Sequence, residues 1–382
     1  MLSLALSGPA AGVPFVPSDD GQVLERLPDR SSAQQRELRQ LRAAAAAAPS
    51  SVAAATALAN AYYRISRSEG DPRLLGYAQA ALMPWWKDAE APTTVLVMRA
   101  TILQSNHEFE RALDDLSKAI AREPRNARAL LLRASIRTVQ GKYDEARADC
   151  ERSQGLAPDR NVVACLAGVD ALTGKARSAS LALERSRAAM ANAPPDARAW
   201  IESLLGEIAQ RQDDTVAEKH FRAALAADSR DLYTLAAYCD WLLDHARPAE
   251  VIPLVEKQQR VDALLLRLAL AQKALRRVDA ESSIATLHAR FAASRARGDT
   301  VHRREEARFR LEAEQDATVA LQLAKENWAV QREPADLRIL AEAAVAAGDV
   351  SAVETVRQWL AQTGLQYRTV RALVDRSADA RR

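Results

Sequence analysis

Residues 93–126 read TTVLVMRATILQSNHEFERALDDLSKAIAREPRN, and residues 127–160 read ARALLLRASIRTVQGKYDEARADCERSQGLAPDR. Laid one above the other, Ala100, Leu103, Ala112, Leu116, Ala119 and Pro124 return as Ala134, Arg137, Ala146, Cys150, Ser153 and Pro158. The turn Asn106-His107-Glu108-Phe109 falls against Gly141-Lys142-Tyr143. A period of about 34, with small residues at two fixed places and a closing proline, marks stacked helix–turn–helix units. Each unit has an apolar face that only a neighbour can cover, so the units build one elongated body.

The same texture extends in both directions, less regularly. Ser32 opens a helix to about Ala48, with Leu38, Leu41 and Ala45 on one face, an atypical first unit serving as a cap. Leu58-Ala59 and Tyr62 begin a full unit whose second helix carries Ala78 and Leu82. Its extra residues, Ser66 to Arg73, are expected to lengthen the inter-helix loop, and Pro84 to end or kink the second helix. Beyond the regular pair, Ala164 to Pro195 keeps the pattern loosely, and Leu205-Gly206, Ala217 and Phe221 restore it. Later units run through Leu235 to Val255, Leu264 to Phe291, Ala307 to Pro334 and Leu340 to Leu360. Gly298-Asp299-Thr300 reads as a stop followed by a cap. The segments expected are a 1–17 leader, an 18–49 N-terminal segment with its capping helix, a 50–365 array of eight to nine units, and a 366–382 capping helix and flexible tail.

Hydrophobic residues make up 48% of the chain but aromatic residues only 5%, so the apolar content is largely alanine and suits closely stacked helices. The 13 glycines and 15 prolines fall mostly between the expected helices, which argues for an all-α fold. The charge is +3 from 53 basic and 50 acidic residues, too even for the one-signed stripe of a nucleic-acid binder, and no nucleic-acid partner is expected. No zinc spacing joins Cys150, Cys165 and Cys239, and His107, His220, His245, His288 and His302 form no metal motif. With no phosphate loop, nucleophile elbow or carboxylate dyad, the reading gives no metal, no cofactor and no enzyme.

Met1 to Pro17, MLSLALSGPAAGVPFVP, is apolar with a small-residue stretch and no basic start. It reads as the remnant of a secretory signal, making the protein periplasmic or secreted, against a short leader on a cytoplasmic one. Nothing later is long enough to span a membrane.

Residues 93–160, and the unit from Leu205-Gly206 to Phe221, resemble tetratricopeptide repeats. The resemblance implies a right-handed superhelix of antiparallel helix pairs whose first helices line a concave groove, and a scaffold for proteins or peptides. Its signature positions here are Ala100, Ala112, Leu116, Pro124, Ala134, Ala146, Pro158, Gly206, Ala217 and Phe221. Arg99 and Arg137 stand where larger apolar residues are expected. Some members grip a partner's C-terminal carboxylate with lysine and asparagine. Val97, Thr101, Leu131 and Ser135 occupy those places, so no carboxylate-clamp chaperone ligand is expected.

On the groove face, Trp200, Glu207, Arg211, Tyr233, Asp240 and Trp241 combine aromatic area with charge, as binding hot spots do; the competing reading is that Trp200 and Trp241 fill gaps between alanine-rich helices. Trp85-Trp86 offers one exposed ring or a plug beneath the Ser66–Arg73 loop. The basic set Arg290, Arg295, Arg297, His302, Arg303 and Arg304 reads as a solvated face paired along the helix with Glu305 and Glu306. Cys150 and Cys165 fall at similar heights on adjacent helices, as a disulfide or as two buried thiols. The functional expectation is a non-catalytic scaffold, with an exported assembly factor for envelope or secreted components, or a cytosolic regulator, as alternatives.

Overall fold

A computed structural model describes residues 32–190 and 192–379, with Asp19 and Gly21; the 1–17 leader lies outside the described residues. Within them the chain is helical throughout, with no strand. A capping helix α1 (Ala33–Ala47) precedes nine antiparallel pairs. These are α2 (Val52–Glu69) with α3 (Arg73–Ala81), α4 (Thr93–Ser105) with α5 (Phe109–Arg122), and α6 (Ala127–Val139) with α7 (Tyr143–Arg152). They continue as α8 (Asp159–Leu172) with α9 (Ala176–Ala188), α10 (Pro195–Arg211) with α11 (Val216–Ala227), and α12 (Leu232–Asp244) with α13 (Pro248–Val255). The last are α14 (Asp262–Ala274) with α15 (Ala280–Ala296), α16 (Arg303–Arg308) with α17 (Ala317–Trp328), and α18 (Pro334–Ala346) with α19 (Val350–Thr363), closed by α20 (Arg368–Asp379). A π turn at Phe309–Ala313 extends α16.

Local chemistry sets these boundaries. Ser32 and Ser51 accept from the backbone N–H of Gln35 and Ala54, capping α1 and α2. Helix α5 buries Phe109, Ala112, Leu116, Ala119 and Ile120, one face at helical spacing. The first helices are enclosed more completely. In α4 every residue from Val95 to Leu103 is buried, and in α14 every residue from Leu264 to Gln272, because neighbours flank these helices on both sides. At Gly206 an added Cβ would lie 2.8 Å from the Phe221 ring, so the glycine is what lets that fully buried ring lie flat against α10.

Several sequence expectations change. Ser66 to Glu69 extend helix α2 rather than a loop; only Gly70, in the left-handed region, and the two residues after it make the turn. Pro84 does break the chain, into a 3-10 turn at Met83–Trp85, but Trp86 is buried and Trp85 partly so. Arg99 accounts for this. Its Nη1 donates to the carbonyls of Trp85, Trp86 and Asp88, and its other side forks onto Asp115 at 2.6 and 2.5 Å. One repeat later Arg133 forks onto Asp149 at 2.8 and 2.7 Å, and Arg137 bonds the same carboxylate at 2.6 Å. The arginines that look like departures from the repeat pattern are thus part of a repeated buried ion pair. Asp299 accepts from Val301 N–H and Ser294, while His302 precedes α16. Within the 366–382 segment expected as a capping helix and flexible tail, helix α20 runs on to Asp379.

Cys150 and Cys165 are joined, with Cα atoms 5.8 Å apart, tying α7 to α8. Cys239 is free and buried.

The pairs wind into a superhelix whose turns touch. The Gly70 turn of the first pair meets Leu232 and Val261 at the starts of the sixth and seventh pairs. In the third pair, Val139 O accepts from Arg332 N–H at 2.7 Å, just before the ninth. A Cβ on Gly141 would lie 2.5 Å from Trp359 of that ninth pair. Gly174 of the fourth pair packs on Gly364 backbone just ahead of α20. Third meets ninth, so one turn takes about six pairs. Tyr143, Ala146 and Cys150 consequently share one apolar cluster with Leu340, Val356, Leu360 and Val370.

Candidate functional site

With six pairs to a turn, helices three pairs apart face one another across the axial channel. The side chains there reach each other. Arg338 on α18 forks onto Asp244 on α12 at 2.6 and 2.7 Å, joining the ninth pair to the sixth. Arg308 on α16 bonds Asp240 on α12, which Arg267 also grips at 2.9 and 2.7 Å. Arg304 holds Glu333 at 2.8 Å and approaches Asp336 at 3.3 Å. Burial opposes ionisation of Asp240, but Arg267 and Arg308 outweigh it and hold the carboxyl well below the usual range. This half of the channel is laced with charge pairs rather than lined by an open apolar groove.

The early-repeat side chains at the places considered for binding, Val97, Thr101, Gln104, Ser135 and Thr138, are uncharged. Val97 and Thr101 are buried, and the hydroxyls of Thr101 and Thr138 are bonded to their own helix at Val97 O and Ala134 O. Gln104 reaches Ser135 at 3.4 Å.

The six residues singled out for binding fall into three groups. Trp200 and Tyr233 are exposed, 43% and 53%, at equivalent places on adjacent first helices. A buried hydroxyl contact between Ser203 and Thr234 fixes those helices to each other, and Asp231 caps α12 through the N–H groups of Tyr233 and Thr234. Glu207 and Arg211 stand beside them at 3.8 Å from each other. Burial raises the Glu207 pKa, while Arg211 and a hydrogen bond from Tyr233 oppose it. The Glu207 charge pushes the Tyr233 phenol well above its ordinary value.

Asp240 is committed to the two arginines. Trp241 does not face the channel. It is 3% exposed, sits between Tyr238 and His245, and carries Arg247 5.2 Å above its ring. Tyr238, Trp241 and His245 at spacings of three and four form a stripe on one helix face, the sequence signal for a packed ring. Four of the basic set are also paired. Arg290 pairs with Asp262 and Arg303 with Glu326, while Arg304 points into the channel network and Arg295 bonds Glu306.

Sequence reading passed over Arg332, which lies over Trp359, and Asp244, Arg338 and Tyr367, which distant repeats bring together. A cavity of about 140 Å³ opens there beside Gln210, His245, Arg338 and Tyr367. Among the described residues no helix is long and apolar enough to cross a membrane, and no cluster of histidine, cysteine and carboxylate side chains could hold a metal.

The tetratricopeptide-repeat family model matches residues 97–161. No curated protein sequence matches the chain. Among solved structures, the fold is similar to the anaphase-promoting complex (APC/C) hetero-tetramer Cut9-Hcn1, at 16% identity and a TM-score of 0.40, covering 80% of this chain and 52% of that one. The chain therefore spans about half the length of that relative. A tetratricopeptide repeat protein from Parabacteroides merdae aligns at 14% identity over 75% of this chain and 98% of its own, with a TM-score of 0.38. A human IFIT1 dimer with m7Gppp-AAAA aligns at 13% identity over 91% and 86%, with a TM-score of 0.46.

Proposed function

We propose that this tetratricopeptide-repeat protein is a non-catalytic scaffold that binds another protein through its axial channel. The observation that carries the reading is the pair Trp200 and Tyr233. Two large rings stand exposed at equivalent positions on helices locked together by Ser203 and Thr234. Rigid aromatic area beside directional polar groups, here Glu207 and Arg211, is what interface hot spots are made of. Arg267 and Arg308 are paired with Asp240, and Arg338 with Asp244, which supports a binding role for the channel.

The Cys150–Cys165 bond favours a periplasmic or secreted protein over a cytoplasmic one, because structural disulfides persist in oxidising compartments. An exported assembly factor for envelope or secreted components is the finer form of the reading.

Affinity capture from the native host, with mass spectrometry, should yield a partner that the Trp200→Ala/Tyr233→Ala double variant fails to retain. Equal retention by a double variant with unchanged circular dichroism would remove the channel from the reading. A mature N-terminus beyond the apolar leader, together with one free thiol, is the result expected for export.

A further inference from the structure

The cavity of about 140 Å³ opens where two first helices end and the last helix begins. Gln210 and Asp213 reach it from the end of α10, Asp244 and His245 from the end of α12, and Arg338 from α18. Tyr367 and Thr369 line it from the start of α20.

This lining is rich in acceptors. All three guanidinium nitrogens of Arg338, its one arginine, already donate to carboxylates: Nη1 and Nη2 to Asp244 at 2.6 and 2.7 Å, and Nε to Glu342 at 2.7 Å. Nδ1 of His245 stands 2.8 Å from the carbonyl oxygen of Trp241. A carbonyl only accepts, so Nδ1 carries the hydrogen and Nε2 of the neutral ring is left as an acceptor. Asp213, in the left-handed region at φ 58°, pairs with no cation among the described residues. Tyr367 is 7% exposed, and its hydroxyl has no hydrogen-bond partner among the described residues. A buried hydroxyl without a protein partner is costly, and a polar group bound in the cavity would satisfy it.

Charge points the same way. Asp213, Asp244 and Glu342 outnumber the single charge of Arg338. Arg211, beside Gln210 in the chain, faces Glu207 at 3.8 Å and does not offset that excess. Helices α10 and α12 bring their carbonyl ends to the space, against one N–H end from α20. Asp213 and Asp244 repel a carboxylate or phosphate. A primary ammonium, with three donors and one positive charge, fits both the acceptors and the sign.

The place of the cavity selects the bearer of that ammonium. Tyr233, Asp240 and Asp244 succeed one another at seven and four residues, on one face of α12. At the rise of a helix, Asp244 lies about 16 Å along that face from the exposed Tyr233 ring. An extended chain covers this distance in about five residues.

We propose that the cavity binds the ammonium group of a lysine in an extended segment of the partner protein, which rests on Trp200 and Tyr233 about five residues away. The proposal rests on the scaffold reading and gives its partner a chemistry.

The test uses the full chain and an acetylated, amidated peptide of one leucine, four serines and one lysine, read by calorimetry. Comparison peptides carry ε-acetyl-lysine or glutamate in place of the lysine, and n-butylamine supplies a free ammonium. The lysine peptide should bind, and its acetylated form about tenfold more weakly, the value of one charge-assisted pair. Asp213→Asn keeps the side-chain shape, and asparagine tolerates a positive φ, so this variant should fold and still weaken the lysine peptide about tenfold. Tyr233→Ala should weaken the peptide and leave butylamine unchanged. Equal binding of the acetylated or glutamate peptide, butylamine binding as tightly as the lysine peptide, or an Asp213→Asn variant with undiminished affinity overturns the proposal. If the lysine peptide fails to bind while partner capture still depends on Trp200 and Tyr233, the ammonium proposal falls and the scaffold reading stands.

Discussion

Two glycines separate the contribution of the seam from that of the backbone. Gly141 and Gly155 both have positive φ, 74° and 68°, so alanine at either meets the same local penalty. Beyond that they differ. A Cβ on Gly155 meets nothing within 4 Å, whereas on Gly141 it would stand 2.5 Å from Cη2 and 3.0 Å from Cζ2 of Trp359. The Gly155→Ala change should therefore cost about 1–2 kcal/mol, the price of a left-handed alanine. Gly141→Ala carries that term plus about 1–3 kcal/mol for forcing a large ring out of a packed site. The ring cannot simply tilt away, because it is packed edge-on against Trp328 and covered by Arg332. Urea titrations followed by circular dichroism give the difference between the variants. Small-angle scattering should show a larger radius of gyration for Gly141→Ala alone, and tryptophan emission should move to longer wavelength. Equal destabilisation of both variants, with identical scattering curves, would mean that the turns do not touch in solution.

The repeated ion pairs give a second measurement. Arg133→Met leaves the Asp149 carboxylate facing only Arg137 and a distant Arg152, and should cost about 3 kcal/mol by urea titration. Adding Asp149→Leu should recover part of that cost, and an additive loss refutes the account. Reducing the Cys150–Cys165 bond, which closes a separation of 15 residues, should lower stability by about 3 kcal/mol. In the oxidised native protein the remaining thiol, Cys239, should resist alkylation at pH 8, because burial and then Asp240 push it up to about 12; rapid labelling contradicts its placement. Glu218 is held at about 2, chiefly by Arg247 and then against burial by Tyr238 and Arg222, below its ordinary 4.5. A depressed carboxyl lends stability that is complete above the unfolded value and lost as pH falls through the folded one. Its carboxylate signal in an NMR titration should accordingly move near pH 2, and a midpoint near 4.5 contradicts the Arg247 contact.

What could be read in the sequence was whatever repeats between neighbours. Ala100 against Ala112 and Ala134 against Ala146 recur because each pair must pack on the next, and all four are fully buried. Gly206 and Phe221 were legible for the same reason. The ion pairs Arg99–Asp115 and Arg133–Asp149 recur with the same period, but a charged residue at a packing position looks like degeneracy until its partner is seen. Trp241 takes the gap-filling alternative, because a residue beside the channel face differs from one on it by a single step of the helix. The seam was not legible at all. Gly141 and Trp359 meet only after the small rotations between successive pairs have summed to a full turn, and Asp244 and Arg338 after about half of one, and no local pattern records that sum.

That sum also decides what the channel can hold. Alanine at the crossing points lets helices approach closely, and close approach on the inner side tightens the curvature of the stack. At about six pairs per turn the first helices of opposite pairs come within reach of one arginine and one aspartate, as Arg338 and Asp244 show. A helical ligand cannot pass between side chains that already bond each other across the axis. An extended segment can enter only where that lacing is interrupted.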